Sequence, residues 1–390
     1  MQLQIPPNSF VAATPVSATR RIASVDALRG FNIFWILGGD GAMWALDDMS
    51  SGKGPVVSGI GHFLGLQLHH VAWEGFRFYD FVFPLFIYIT GVSIVLSLPH
   101  LVEREGIWHA HIRVLRRSLL LYGLGLIYYG GISHHWADIR YLGVLQRIAL
   151  CYLFASLLFL NLNLRGMTIA FVSLLLGYWA LLTFVPVPGI GAGFFAPDAN
   201  LANWLDAHYL PGRLWDKTRD PEGMLSTLPA IGTCLMGAFA GLLLKSERLA
   251  PQQKSLALIG AGILTVAVGY LWGLQFPVIK AIWTSSFVLV AGGYSLMLLG
   301  VWHQIIDVWG IRRWSTIFVW IGANAIMLYF LNNVFGFEPF ALRFVGGGLS
   351  ALIDHFTTSG TGRFVAHVLG LTFAIALAGF FYRRKIFLRV

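Results

Sequence analysis

Ten stretches of about 20 mostly apolar residues recur along this chain, and a run of that length is what a helix needs to cross the hydrocarbon core of a bilayer. They lie near 27–46, 79–98, 115–132, 142–162, 167–186, 226–244, 256–274, 281–301, 315–335 and 364–382. In lipid no water is present to satisfy a bare peptide group, so such runs fold as helices. Composition agrees: 57% of the 390 residues are hydrophobic and 12% are charged, against roughly 25% charged in soluble domains. A water-soluble protein of this size could not cover itself with so few polar groups, and disordered, collagen-like and disulfide-rich secreted chains are excluded too. The expected fold class is all-α, a polytopic membrane helical bundle of about ten transmembrane helices. Residues 1–22 contain no seven-residue apolar core of a signal peptide and are expected to be a cytoplasmic N-terminal tail. Residues 23–390 are then one transmembrane domain, with outer loops over about 187–225 and 336–362. No fixed-period repeat is visible.

The net charge of +9 is not read as a nucleic-acid footprint, because no basic stripe interleaved with exposed aromatics occurs. The basic residues cluster between apolar runs instead, the pattern of membrane topology. With the N-terminus in the cytoplasm, sixteen Lys and Arg fall on that side and nine on the other. Both chain ends are therefore expected inside. Cys151 and Cys234 sit within apolar runs as packed thiols.

Ionisable groups at membrane depth are costly and are functional candidates by default. Asp26 and Arg29 share one helix face three residues apart, as an ion pair anchoring a helix end or as part of a site. Asp40 stands in a Gly-Gly-Asp-Gly run whose glycines permit a broken helix, which membranes tolerate around a protein-lined cavity. His69 and His70 are expected at the outer surface, where imidazole titrates near neutrality and can serve as general base. Arg147, entering a span beside Gln146, requires a carboxylate partner such as Asp138, Asp80 or Glu222. Asp220 and Glu222 precede a span, where the helix dipole alone would favour them. Trp283 and Ser285 open another span, and Asn324 lies among small residues within one. No H-E-x-x-H spacing, phosphate-binding loop or nucleophile elbow is present, so no metal, nucleotide-driven pump or hydrolase is expected.

Several of these residues fall in ordered motifs. Ser24-Val25-Asp26-Ala27-Leu28-Arg29-Gly30-Phe31, His70-Val71-Ala72-Trp73-Glu74-Gly75, Asp80-Phe81-Val82-Phe83-Pro84 and Gly143-Val144-Leu145-Gln146-Arg147 come first. Asp220-Pro221-Glu222-Gly223, Trp283-Thr284-Ser285-Ser286 and Gly322-Ala323-Asn324-Ala325 follow. Together, over roughly residues 22–335, they resemble the heparan-α-glucosaminide N-acetyltransferase family and its bacterial NagX-like relatives.

The resemblance implies acetyl transfer across a bacterial inner (cytoplasmic) membrane. The donor would be cytoplasmic acetyl-CoA, and the acceptor the amine of a glucosamine-type sugar on the periplasmic side. The lysosomal member's luminal N-terminal region has no counterpart here, so a small amino sugar is the expected acceptor. The family's essential histidine falls on His70, and its asparagine fourteen residues after Asp26 falls on Asp40, a departure from amide to carboxyl. His70 is then the catalytic base and Asp40 a catalytic partner that orients the imidazole. Asp26, Arg29, Asp80, Gln146, Arg147, Asp220, Glu222, Trp283, Ser285 and Asn324 are the substrate-binding candidates. Within this set Asp220 and Glu222 would hold sugar hydroxyls, and Asn324 or Ser285 would polarise the thioester carbonyl. Arg113, Arg116 and Arg117 are candidates for the phosphates of CoA, or are simply retained by the charge bias of inner loops. The resemblance also implies a homodimer in the lipid bilayer, and the residue patterns above give no expectation of a metal or of nucleic acid. An amino-sugar transporter and an O-acetyltransferase of cell-envelope polysaccharide are the alternatives. The first fits less well, because inverted repeats and paired broken helices are not seen.

Overall fold

The computed structural model describes residues 22–50 and 53–388. Apart from Ile22, the expected N-terminal tail lies outside the described residues. Every described element is helical, and only isolated bridges such as Glu74 with Ile279 and Arg140 with Gly212 join extended segments. In chain order the helices are α1 (Ala23–Phe34), α2 (Asp40–Ser50), α3 (Pro55–Gln67), α4 (Phe78–Tyr128) and α5 (Val144–Asn161). They continue with α6 (Leu164–Phe184), α7 (Leu201–Tyr209), α8 (Thr227–Lys245), α9 (Pro251–Gly273) and α10 (Ser285–Trp302). The chain closes with α11 (Thr316–Ala323), α12 (Ala325–Phe335), α13 (Phe337–Val345), α14 (Gly348–Phe356) and α15 (Thr361–Arg383). The protein is a polytopic membrane bundle.

Among the described residues seven helices are long and apolar enough to span a bilayer, or eight if α11 and α12, bent by 78°, are one broken span. Ten runs were expected, and the difference has two causes. The second and third runs form one 51-residue helix, α4. Straight, it would reach about 77 Å, more than twice the ~30 Å of the hydrocarbon core. It is not straight, because Gly106 adopts φ 84° and ψ 164° and divides it into limbs 78–105 and 107–128. Tyr128 of the second limb and Tyr79 of the first line the same cavity, so the limbs return alongside one another. The first expected run is likewise divided, at Gly38 (φ 131°), into α1, a π-type turn over Trp35–Gly39, and α2. The helix break expected near Asp40 is therefore present.

Close packing explains several glycines. A methyl group on Gly91 of α4 would lie 1.8 Å from the Cys234 carbonyl oxygen of α8, so these two helices cross backbone to backbone. Helices α8 and α10 sit near the centre of the bundle, while α9 turns Leu256, Ile263, Leu264 and Leu271 outward as a lipid-facing helix would. The stretch 187–225 contains α7 and folds over one end of the bundle. There Val187, Leu201 and Ala202 pack with Tyr178, Phe276 and Ile282 in a small second core. The stretch 336–362, read as a polar loop, holds the short helices α13 and α14.

Candidate active site

His70 stands in the turn between α3 and α4, held from both sides. Leu68 closes α3, and its carbonyl accepts the Trp44 indole N–H at 3.2 Å. Gly75 N–H donates to Val278 O at 2.9 Å, fastening the turn to the connector between α9 and α10. Trp73 donates to Phe195 O at 2.9 Å and lies under the Arg219 guanidinium, so the 187–225 stretch roofs this turn.

Asp80 occupies the first turn of α4, where the helix dipole and free amides favour a carboxylate. It accepts Arg77 N–H at 3.1 Å and Val71 N–H at 3.2 Å. His70 Nδ1 lies 2.8 Å from its Oδ1. An ionised carboxylate has no proton to give, so Nδ1 is the donor and Nε2 keeps its lone pair. The Asp80 side chain is 1% exposed and that of His70 51%, an orienting carboxylate behind an accessible imidazole. Lys280, from the α9–α10 connector, brings its ammonium 3.0 Å from Nδ1, 3.2 Å from Nε2 and 3.6 Å from Asp80 Oδ1. Burial lowers the Lys280 pKa, and Asp80 opposes that shift.

Asp40 does not touch the imidazole. Its Oδ2 accepts the Tyr79 hydroxyl at 2.5 Å, and its Oδ1 accepts Gly41 N–H at 2.7 Å. The Tyr79 ring in turn lies 4.7 Å from that of His70. The carboxylate that orients His70 is thus Asp80, with Asp40 one residue further out. His69 points elsewhere, stacked at 5.0 Å on Trp44.

Below His70 opens a cavity of about 230 Å³ between α1, both limbs of α4, α5 and α12. Asn32, Tyr79, Phe83, Tyr128 and Tyr329 line it beside His70. Asn32 is 1% exposed and neither its amide oxygen nor its amide nitrogen has a partner. A buried amide without a partner is costly, so this one is available to a ligand. Its signal in the sequence is a lone amide inside an apolar run.

A second polar cluster lies on the same face of the bundle. Arg140 donates from Nε to Asp220 at 2.9 Å, and from Nη2 to Asp220 at 2.6 Å and Glu222 at 2.5 Å. Its guanidinium is sandwiched between Tyr129 and Trp215. Burial works against the Arg140 charge, but the two carboxylates outweigh it and raise its pKa. Burial pushes the Glu222 carboxyl up in spite of Arg140 and Arg147. Asp220 and Glu222 are therefore committed to an ion pair, and Lys280 lies within electrostatic reach of Glu222.

Arg147, expected to meet a carboxylate, instead donates to Gly223 O at 3.0 Å and to Ser226 Oγ, with its guanidinium over Trp283. Of the carboxylates Arg147 was expected to take, Glu222 is held by Arg140 and Asp80 by His70 and Lys280. Gln146 donates to Arg140 O at 3.3 Å.

The remaining candidates are not brought to the cavity. Trp283 is buried and donates to Thr233 Oγ1 at 3.1 Å. Ser285 donates to Leu175 O at 2.7 Å. Asn324 donates to Ile386 O and accepts Leu388 N–H, tying the chain end to the α11–α12 bend. Asp26 and Arg29 pair at 3.3 Å, and Arg29 also donates to Ser93 at 2.7 Å. Arg113 faces Glu105 at 3.7 Å, Arg116 is exposed, and Arg117 lies over the Tyr152 ring. From Arg113 to Tyr128 the second limb of α4 rises about 22 Å, so these arginines lie at the far end of the helix from the cavity. Among the described residues no group of three or more His, Cys, Asp or Glu side chains is arranged to hold a metal ion.

No family model matches the chain. Two curated relatives do. The heparan-alpha-glucosaminide N-acetyltransferase of Homo sapiens is 26% identical over 381 residues, covering 82% of this chain and 55% of the relative. That of Mus musculus is 26% identical over 335 residues, covering 69% of this chain and 50% of the relative. The chain spans about half the length of the curated relatives it matches. The resemblance carried by the motifs thus extends along most of the sequence, and over that span the chain is similar to the heparan-α-glucosaminide N-acetyltransferases.

Proposed function

We propose that this protein is a membrane-embedded N-acetyltransferase that moves an acetyl group from cytoplasmic acetyl-CoA to the amine of a small glucosamine-type sugar on the opposite, periplasmic side. The observation that carries the reading is the His70–Asp80 pair at 2.8 Å, with an accessible imidazole at the mouth of a cavity that runs into the bundle. The basic-residue asymmetry supports both termini in the cytoplasm, which puts His70 outside and Arg113, Arg116 and Arg117 on the donor side.

A sugar ammonium must lose a proton before it attacks a thioester, and a base 2.6–3.2 Å away serves that step. His70 Nε2 takes the proton while Asp80 holds Nδ1–H and steadies the imidazolium that forms. The free amine attacks the thioester carbonyl, an oxyanion develops, and the C–S bond breaks. The amide N–H of Asn32 is suited to the carbonyl or to a polar group on the donor's arm. Asp40 contributes through Tyr79, whose ring packs against His70.

Release of CoA thiol by the purified protein tests this reading. Thiol release that rises with added glucosamine is expected. Sugar uptake into vesicles without thiol release would instead identify a transporter. Release driven by a polysaccharide hydroxyl but not by the amine would identify an O-acetyltransferase.

A further inference from the structure

Lys280 has no part in the steps above, yet its amine is among the groups nearest the base. Its ammonium lies 3.0 and 3.2 Å from the two nitrogens of His70. That is the separation at which an acceptor amine would surrender its proton to the base. The position is built rather than incidental. The connector carrying Lys280 is fixed by the Glu74–Ile279 bridge, by Ile279 N–H on Thr284 Oγ1 at 3.1 Å, and by Trp283 N–H on Lys280 O at 2.9 Å. The Lys280 side chain is 18% exposed, whereas Lys53, Lys217, Lys245 and Lys385 are solvent-exposed. Desolvation favours the neutral amine, which is the nucleophilic form of lysine.

We infer that Lys280 is a self-acetylation site: with donor bound and no amino sugar in place, its side-chain amine accepts the acetyl group, assisted by His70. The inference rests on the acetyl-transfer reading. One proton passes from the ammonium to His70 Nε2 and on to solvent. The neutral amine forms a C–N bond to the carbonyl carbon as the C–S bond breaks. The second nitrogen proton leaves with the thiolate as the free thiol. Nothing is oxidised or reduced. The product is an uncharged amide that no longer pairs with Asp80 and that occupies the space over the imidazole. Acetylated protein is therefore silenced toward sugar, and a bound amino sugar protects against the modification by taking the same place beside the base.

The test incubates the purified full-length chain with acetyl-CoA alone and maps acetyl groups by peptide mass spectrometry. Parallel samples carry excess glucosamine or the substitution His70→Ala. Lys280 should gain acetyl at least tenfold faster than Lys53 and Lys217, within the range a positioned base supplies. Both glucosamine and His70→Ala should suppress it. Preincubation with acetyl-CoA should inactivate the natural chain but not Lys280→Arg, whose guanidinium keeps the charge without a reactive amine. An unmodified Lys280 in a preparation that acetylates glucosamine would overturn the inference alone. Equal labelling of all exposed lysines would also overturn it. A preparation that acetylates neither lysine nor sugar would overturn the acetyl-transfer reading itself.

Discussion

Replacing Arg140 by methionine should nearly unfold the protein. The Arg140 side chain is 3% exposed, between Asp220 at 0% and Glu222 at 10%, and it is the group that neutralises both. Methionine follows the apolar stem as far as the Nε position but removes the guanidinium between Tyr129 and Trp215 and leaves two carboxylates out of water. Removing one partner of a buried ion pair costs about 3–5 kcal/mol. Protonation of Glu222, already favoured by burial, relieves part of that. Total stability of about 5–15 kcal/mol makes the remainder a large fraction. The assay is the thermal midpoint and the monodisperse fraction after solubilisation. Arg140→Met should lose most folded yield, and adding Asp220→Asn with Glu222→Gln should restore part of it, because the two carboxylate charges left without Arg140 are then removed. A natural midpoint in Arg140→Met, or a triple variant no better than the single one, would refute the clamp.

Two further predictions follow from the same geometry. Burial pushes the Asp206 carboxyl up to about 7, with Met224 N–H opposing. Because the folded state binds this proton more tightly than an unfolded chain with a pKa of about 3.9, its contribution to stability is full below about pH 4 and lost as pH rises through about 7. The thermal midpoint of the natural chain should therefore fall between about pH 4 and 7 relative to that of Asp206→Asn, and an identical slope in both would count against it. Gly91→Ala should cost about 1–3 kcal/mol or more by overpacking at the 1.8 Å approach to Cys234 O. Gly123→Ala, with nothing within 4 Å, should be neutral or stabilising; a reversed order in thermal midpoints would contradict the crossing of α4 and α8.

Much of this was legible in the sequence, because apolar runs dictate helices in lipid regardless of neighbours. All ten runs are helical, and the Gly-Gly-Asp-Gly break is where the glycines placed it. The continuity of α4 was not legible, since the residues around Gly106 are polar enough to read as a loop while remaining helical on both sides. His70 and Asp80 each stood out in a motif, but their contact depends on how the turn after α3 folds back onto the start of α4. Asp40 was nominated for that contact from its Gly-Gly-Asp-Gly setting and the family resemblance, and Tyr79 intervenes. Arg147 drew notice as a charge inside a span, whereas Arg140, in an undistinguished loop, captures the carboxylates. Lys280 was counted only as a loop charge, because its approach to His70 is made by a bridge between segments some 200 residues apart. Asn32 escaped because, unlike Gln146 and Asn324, it stands outside the motifs, one residue after the first of them.

The account stands or falls on which of two adjacent histidines carries the chemistry. His70 faces Asp80 and the cavity, while His69 stacks on Trp44. Thiol release in the presence of acetyl-CoA and glucosamine, measured for His70→Ala and His69→Ala in protein with a natural thermal midpoint, separates them. A positioned general base contributes about 10²–10⁴-fold, so His70→Ala should lose transfer by that factor while still binding acetyl-CoA, and His69→Ala should keep most of it. Near-natural transfer by His70→Ala, or a dead His69→Ala, would contradict the assignment.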